Sequence, residues 1–350
     1  MRWFSFLIIF FSFLTNADAF EQVDIFVDPN TSVHLSPVLL SPQASVPPQK
    51  EDKKHFFKIG NLALAENSRL IIDNDIYLSA NQIFMKPKSV IQTLGHSLVM
   101  KAKEFIPGDL VGGTDREKQA SMGLIDTSPV EYDPRVGKEG RDGDAGSEAR
   151  MGIGTHIENI RKPEVGQGGE EGRPGSNGGD AGSFSLIVKH FRGAYINATG
   201  GNGEAGGNGG KGGRGGGGYV DQNERQFGTD TSETSVFSGA KGGNGGDGGL
   251  GGNGGNGGNV TIQFETKADT ADEFLFVLNE GGNAGERGLP GEGGEGGLAG
   301  KLMRVKTDNK WISLEGFPGK KGASGKQGKM GIKGKNGAFP KFQQSAYEEN

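Results

Sequence analysis

The chain has 350 residues, a formal net charge of −5, no cysteine and 66 glycines. Without cysteine there are no disulfides, no thiol nucleophiles, no cysteine-held zinc and no lipidated N-terminal cysteine, and the mild acidity gives no sign of nucleic-acid binding. Six glycines precede residue 137 and the other 60 fall between Gly137 and Gly337, so the chain is compositionally two halves.

Residues 1–19 read as a signal peptide. Arg2 supplies the positive start, FSFLIIFFSFL the apolar core, and Ala17-Asp18-Ala19 the cleavage site. No later stretch reaches the ~20 apolar residues of a membrane helix. The expectation is a soluble chain with no transmembrane segment, exported to the periplasm, cell surface or medium.

Residues 20–54 contain SPVLLSPQASVPPQKEDKK, a Pro-rich extended lead-in. Over 55–110 the sequence becomes β-rich. Short apolar runs (Leu70-Ile71-Ile72, Ile76-Tyr77-Leu78, Ile83-Phe84-Met85, Val90-Ile91, Leu98-Val99-Met100) are mostly separated by Asn, Asp, Gly or Ser. That spacing suits short strands and corners rather than helices. It resembles the rungs of the parallel β-helix found in many exported bacterial proteins; a small β-sandwich is the alternative. Residues 111–136 read as a linker.

From 137 to 337 glycine recurs every third position in six blocks: 137–146, 166–182, 200–218, 239–258, 282–300 and 316–337. Strand-like pairs lie between them: SFSLIVKHF and AYINAT, NVTIQFE and FLFVL, KLMRV and KWISLE. In NVTIQFE, Val260, Ile262 and Phe264 fall on one face and Thr261, Gln263 and Glu265 on the other. The connection 219–238 is polar and does not alternate, so it reads as a loop. Residues 338–350 read as a tail.

A strict period of three argues against a floppy linker, which has no use for register. A phosphate loop needs few glycines and a following Lys-Ser or Lys-Thr, which this sequence lacks. Two helices have three residues per turn: the collagen triple helix and the single-chain polyglycine-II helix, which is related to polyproline II. Neither carries internal hydrogen bonds, so the backbone groups point sideways and need partners. Blocks 200–218 and 239–258 are GGX, with two bare faces, and so are expected at the centre of a bundle. The GXY blocks 137–146, 282–300 and 316–337 are expected at its periphery. Few prolines (Pro174, Pro290, Pro318) stiffen the blocks as collagen requires. The expected fold is a β-rich N-terminal part with β-helix-like rungs, then a polyglycine-II helix bundle of six Gly-x-x blocks joined by short strand pairs. Almost no α-helix is expected after the signal peptide. A collagen-like trimer and plain disorder are the alternatives.

The blocks GFPGKKGASGKQGKMGIKGKNG and GERGLPGEGGEGG resemble those of bacterial collagen-like surface proteins. The GGX blocks look like the polyglycine-II domains of some bacteriophage tail-fibre adhesins and of a glycine-rich arthropod antifreeze protein. The chain departs from these in its signal peptide, its few prolines and its lack of disulfides.

The five histidines are scattered without metal-ligand spacing, and no serine sits in a GxSxG elbow. No enzyme activity, cofactor or metal is expected. Two features are candidates for binding. Lys320, Lys321, Lys326, Lys329, Lys333 and Lys335 line the last block with no acidic residue between Gly316 and Ser345. Such a basic rod attracts polyanions, or else neutralises the neighbouring acidic block 282–300. The loop 219–238 carries Tyr219, Arg225, Phe227 and Phe237, contact-prone residue types; the alternative is an ordinary connector. The leading expectation is a secreted structural or adhesive protein meeting a cell surface or acidic polysaccharide. A self-associating matrix component or trimeric stalk follows. Ice binding ranks lower, because the blocks bear Lys, Arg, Asp and Glu.

Overall fold

This computed structural model describes residues 24–35, 55–130, 137–151, 160–220, 238–307 and 310–348. The signal-peptide reading and most of the lead-in lie outside them. The strands of the first half are β1 (Ile25–Val27), β2 (Ser32–Leu35), β3 (His55–Lys58), β4 (Asn61–Leu64), β5 (Arg69–Ile72), β6 (Ile76–Met85), β7 (Val90–Gln92), β8 (Leu98–Ile106) and β9 (Leu124–Asp126). The glycine-rich half adds β10 (Arg150–Met151), β11 (Ile160–Arg161), β12 (Phe184–Phe191), β13 (Ala194–Asn197), β14 (Val260–Lys267), β15 (Leu275–Leu278), β16 (Lys301–Thr307), β17 (Lys310–Glu315) and β18 (Lys341–Gln344). Helix among the described residues is confined to α1 (Asp115–Ala120) and one 3-10 turn, Ala271–Phe274.

Two parallel sheets organise the chain. The first runs β1–β4–β6–β8–β12–β14–β18, with β3 beside the start of β6; the second runs β2–β5–β7–β9–β13–β15. The chain visits them alternately, so each turn lays one strand on each sheet. Inward residues stack in register from turn to turn: Leu78, Met100, Leu186 and Ile262 on the first sheet, and Leu70, Ile91, Ile125 and Ile196 on the second. All eight are buried in one apolar cluster shared by both sheets. The corners repeat as well. Asn30, Asn67 and Lys88 have positive φ, and the residue after each (Thr31, Ser68, Ser89) donates its hydroxyl to the carbonyl three residues back.

These sheets correct the expected boundaries. The lead-in contributes β1 and β2, and the tail contributes β18. The stretch 111–136 is not a plain linker, because β9 takes its place between β7 and β13. These strands are three or four residues long, too short to show an alternation of their own, and they form through their neighbours. KLMRV and KWISLE do not join the sheets: β16 and β17 form a separate antiparallel hairpin.

The glycine blocks leave the same coil. Blocks one, three and five run away from it and blocks two, four and six return. Each block is hydrogen-bonded sideways to others at three-residue intervals. Gly140 and Gly143 donate to Asn208 and Lys211, so blocks one and three are parallel. Gln167 and Glu170 donate to Asp144 and Arg141, so blocks one and two are antiparallel. The same pattern continues to block six, giving a layer of blocks one, three and five on a layer of two, four and six. Blocks three and four each bond to four others: Gly210 to Glu170, Gly209 to Leu289, Gly246 to Gly210, and Gly248 to Lys326 are examples. The second block also has a third kind of bond. Asn177 and Asp180 accept from the backbone N–H groups of Asn253 and Asn256 at 2.8 and 2.6 Å. Asn253 and Asn256 in turn accept from those of Ile332 and Lys335.

Candidate functional site

The stack has two ends. One is fused to the coil through β9, β12, β13, β14, β15 and β18. At the other, blocks one, three and five end and blocks two, four and six begin, with the block connections 147–163, 219–238 and 301–315 between them in sequence; 152–159, 221–237 and 308–309 lie outside the described residues. Ala149 donates to Gly217, and Gly218 to Leu298, which sets the three outgoing blocks level there. Two of these connections are antiparallel pairs, β10–β11 and β16–β17.

The loop candidates separate at this end. Tyr219 is only 9 % exposed, so its ring is covered and it is withdrawn as a surface contact. Burying an aromatic ring is favourable, and Val220 beside it takes the exposed place. Arg225, Phe227 and Phe237 lie outside the described residues.

The last block sits at the rim of the stack, bonded among the described residues to blocks four and five alone. Every residue from 317 to 339 other than glycine is exposed. Lys320, Lys326, Lys329 and Lys335 fall on the row beside block four; Lys321 and Lys333 fall on the row beside block five. Among the described residues, Lys321 alone of the six is ion-paired, to Glu295 at 2.7 Å. That hydrogen bond, and then the charge of Glu295, hold the Lys321 ammonium above its usual pKa. Among the described residues, neutralisation of the acidic fifth block therefore occupies one lysine and leaves the other five exposed. Sequence reasoning missed what stands among them: Phe317, Met330, Ile332 and Phe339 are all exposed. Their signal was the GXY register itself, which leaves no inward place for a side chain.

The other perturbed groups do not gather. Burial raises Tyr77. Hydrogen bonds from the backbone and then the side chain of Thr114 lower Glu117, the reciprocal partner in the capping box of α1. They stand on different elements, Tyr77 on β6 and Glu117 on α1, and neither lines the groove at Pro174 and Ile332 or the one at Leu110 and Thr270. His190 contacts the Thr266 hydroxyl at 2.5 Å on an open sheet face. Among the described residues, no three His, Asp or Glu side chains are grouped as a metal site needs.

No family model, curated protein or solved structure matches this chain. Among the described residues, no helix is long and apolar enough to cross a membrane. Functional inference therefore rests on the geometry of the stack.

Proposed function

We propose that the protein is a secreted, non-enzymatic adhesive or structural element. Its glycine blocks are polyglycine-II helices, and the bundle they form carries end loops and a basic rim to a cell surface or acidic polysaccharide. The observation that carries this reading is the lateral hydrogen-bonding: one bond per triplet to each neighbour, from Gly137 to Gly337. That pattern supports a bundle within one chain, since a collagen trimer would take its bonds from other chains. At ~3.1 Å per residue a twenty-residue block would hold its end roughly 60 Å from the coil. Such a rigid spacer suits presentation of a contact surface.

The test is retention of the purified mature chain by bacterial cells and by immobilised acidic polysaccharide. Binding at low salt that is released by added salt is the expected outcome. A chain that elutes unretained from both removes the adhesive reading.

A second reading, self-association, is favoured by one observation. Among the described residues β18 pairs with β14 on one side only, and its Phe342, in the inward register of Ile262, is exposed. A concentration-independent monomer mass by light scattering would count against it.

A further inference from the structure

We infer that the rim formed by the sixth block is a docking surface for an anionic lipid bilayer, on which the protein lies without crossing it. This rests on the adhesive reading above and narrows it to one partner. The charge comes from Lys320, Lys326, Lys329, Lys333 and Lys335, none of which has an ion pair among the described residues. Phe317 is 79 % exposed, Met330 60 %, Ile332 72 % and Phe339 93 %. Leu250 on block four and Pro174 on block two, beyond it, line a shallow groove with Lys329, Met330 and Ile332.

A soluble polyanion explains the lysines and leaves the apolar side chains without a role. An anionic membrane surface accounts for both: phosphates for the ammonium groups, and the boundary of the acyl layer for apolar side chains set among them. Exposed large apolar groups gathered on one edge are uncommon on a free protein and mark contact sites. The two phenylalanines stand at opposite ends of the lysine row, so contact would be made along its whole length. The rim is also stiff. Gly319, Gly322, Gly325, Gly328, Gly331 and Gly334 each donate to the fifth block, fixing the row against a flat partner.

The test is co-sedimentation of the full mature chain with phosphatidylcholine vesicles, with and without phosphatidylglycerol. Dextran sulfate binding is measured alongside as the soluble polyanion. Two variants are compared, Lys326→Glu/Lys329→Glu/Lys335→Glu and Ile332→Ser/Phe339→Ser. All five positions are exposed, and an unchanged thermal midpoint verifies that each variant folds. Binding to the anionic vesicles alone is expected, weakened at least about tenfold by the lysine reversals. The serine variant should lose several-fold on vesicles, on the order expected for two exposed apolar groups, and keep its dextran sulfate binding. Absence of vesicle binding by the parent chain overturns the inference, as does vesicle binding that the serine variant leaves unchanged. If cells or polysaccharide still retain the chain in either case, the adhesive reading survives and only the lipid partner is lost.

Discussion

Gly246 has room for nothing larger than hydrogen: a Cβ there would lie 1.9 Å from the carbonyl oxygen of Glu170. Gly217, also within a block, is different, because its nearest contact would be the Leu298 carbonyl oxygen at 3.9 Å. Gly246→Ala should therefore destabilise the protein by ~2 kcal/mol or more, the usual cost of overpacking. Gly217→Ala should be neutral or slightly stabilising, since alanine narrows the unfolded ensemble. Thermal unfolding of both variants decides it, and equal midpoints would contradict the close packing of the blocks. The glycines that tolerate no side chain were legible from the GGX register. The work of the third residue was not. Asn and Asp recur visibly at that place, but the N–H groups they accept from lie 55 to 81 residues away, as with Asn336 to Gly281 and Asn202 to Asn283.

At the scale of the element, those side chains join parallel neighbours across each layer. Asn253 accepts from Ile332 in the sixth block at 2.9 Å while its own N–H donates to Asn177 in the second. Asn253→Ala removes the acceptor and leaves the Ile332 N–H to water, at a cost of about 1 kcal/mol. Asn253→Asp keeps the acceptor, as Asp247 does naturally for Lys326, and should retain most of the stability. A difference between the two variants in denaturant midpoint, with unchanged slope, is the expected result. The strand elements show where sequence reading stops. β8 and β12 run nine and eight residues and announce themselves by apolar residues, whereas β6 is one ten-residue strand whose two ends read as separate short runs because Ser79 and Asn81 lie between them. β2 and β9 have four and three residues, and only their places in the second sheet distinguish them from loop, whereas β7, just as short, was marked by Val90-Ile91. α1 was missed for a related reason: it is six residues long with no buried side chain, held by the Thr114–Glu117 capping box.

Over the whole molecule, the coil and the glycine blocks are continuous, because every outgoing and returning pair of blocks is inserted between two turns of the same two sheets. The change of composition at residue 137 concealed this, since it suggested two separate parts. The placement of blocks three and four among four neighbours, in contrast, followed from their two bare faces. One consequence concerns temperature. The inside of the stack holds peptide groups and glycine α-carbons, with no apolar side chains to cover. Unfolding it exposes chiefly polar surface, which lowers the heat capacity, whereas apolar surface raises it. Calorimetry of the protein should accordingly give a heat-capacity increment per residue well below the ~12–15 cal/mol/K of ordinary domains, with most of it contributed by the coil. An ordinary increment would mean that the blocks bury more hydrocarbon than their glycines allow. With a small increment the stability curve is flat, and the glycine stack should hold in the cold, where proteins built on oily cores begin to loosen.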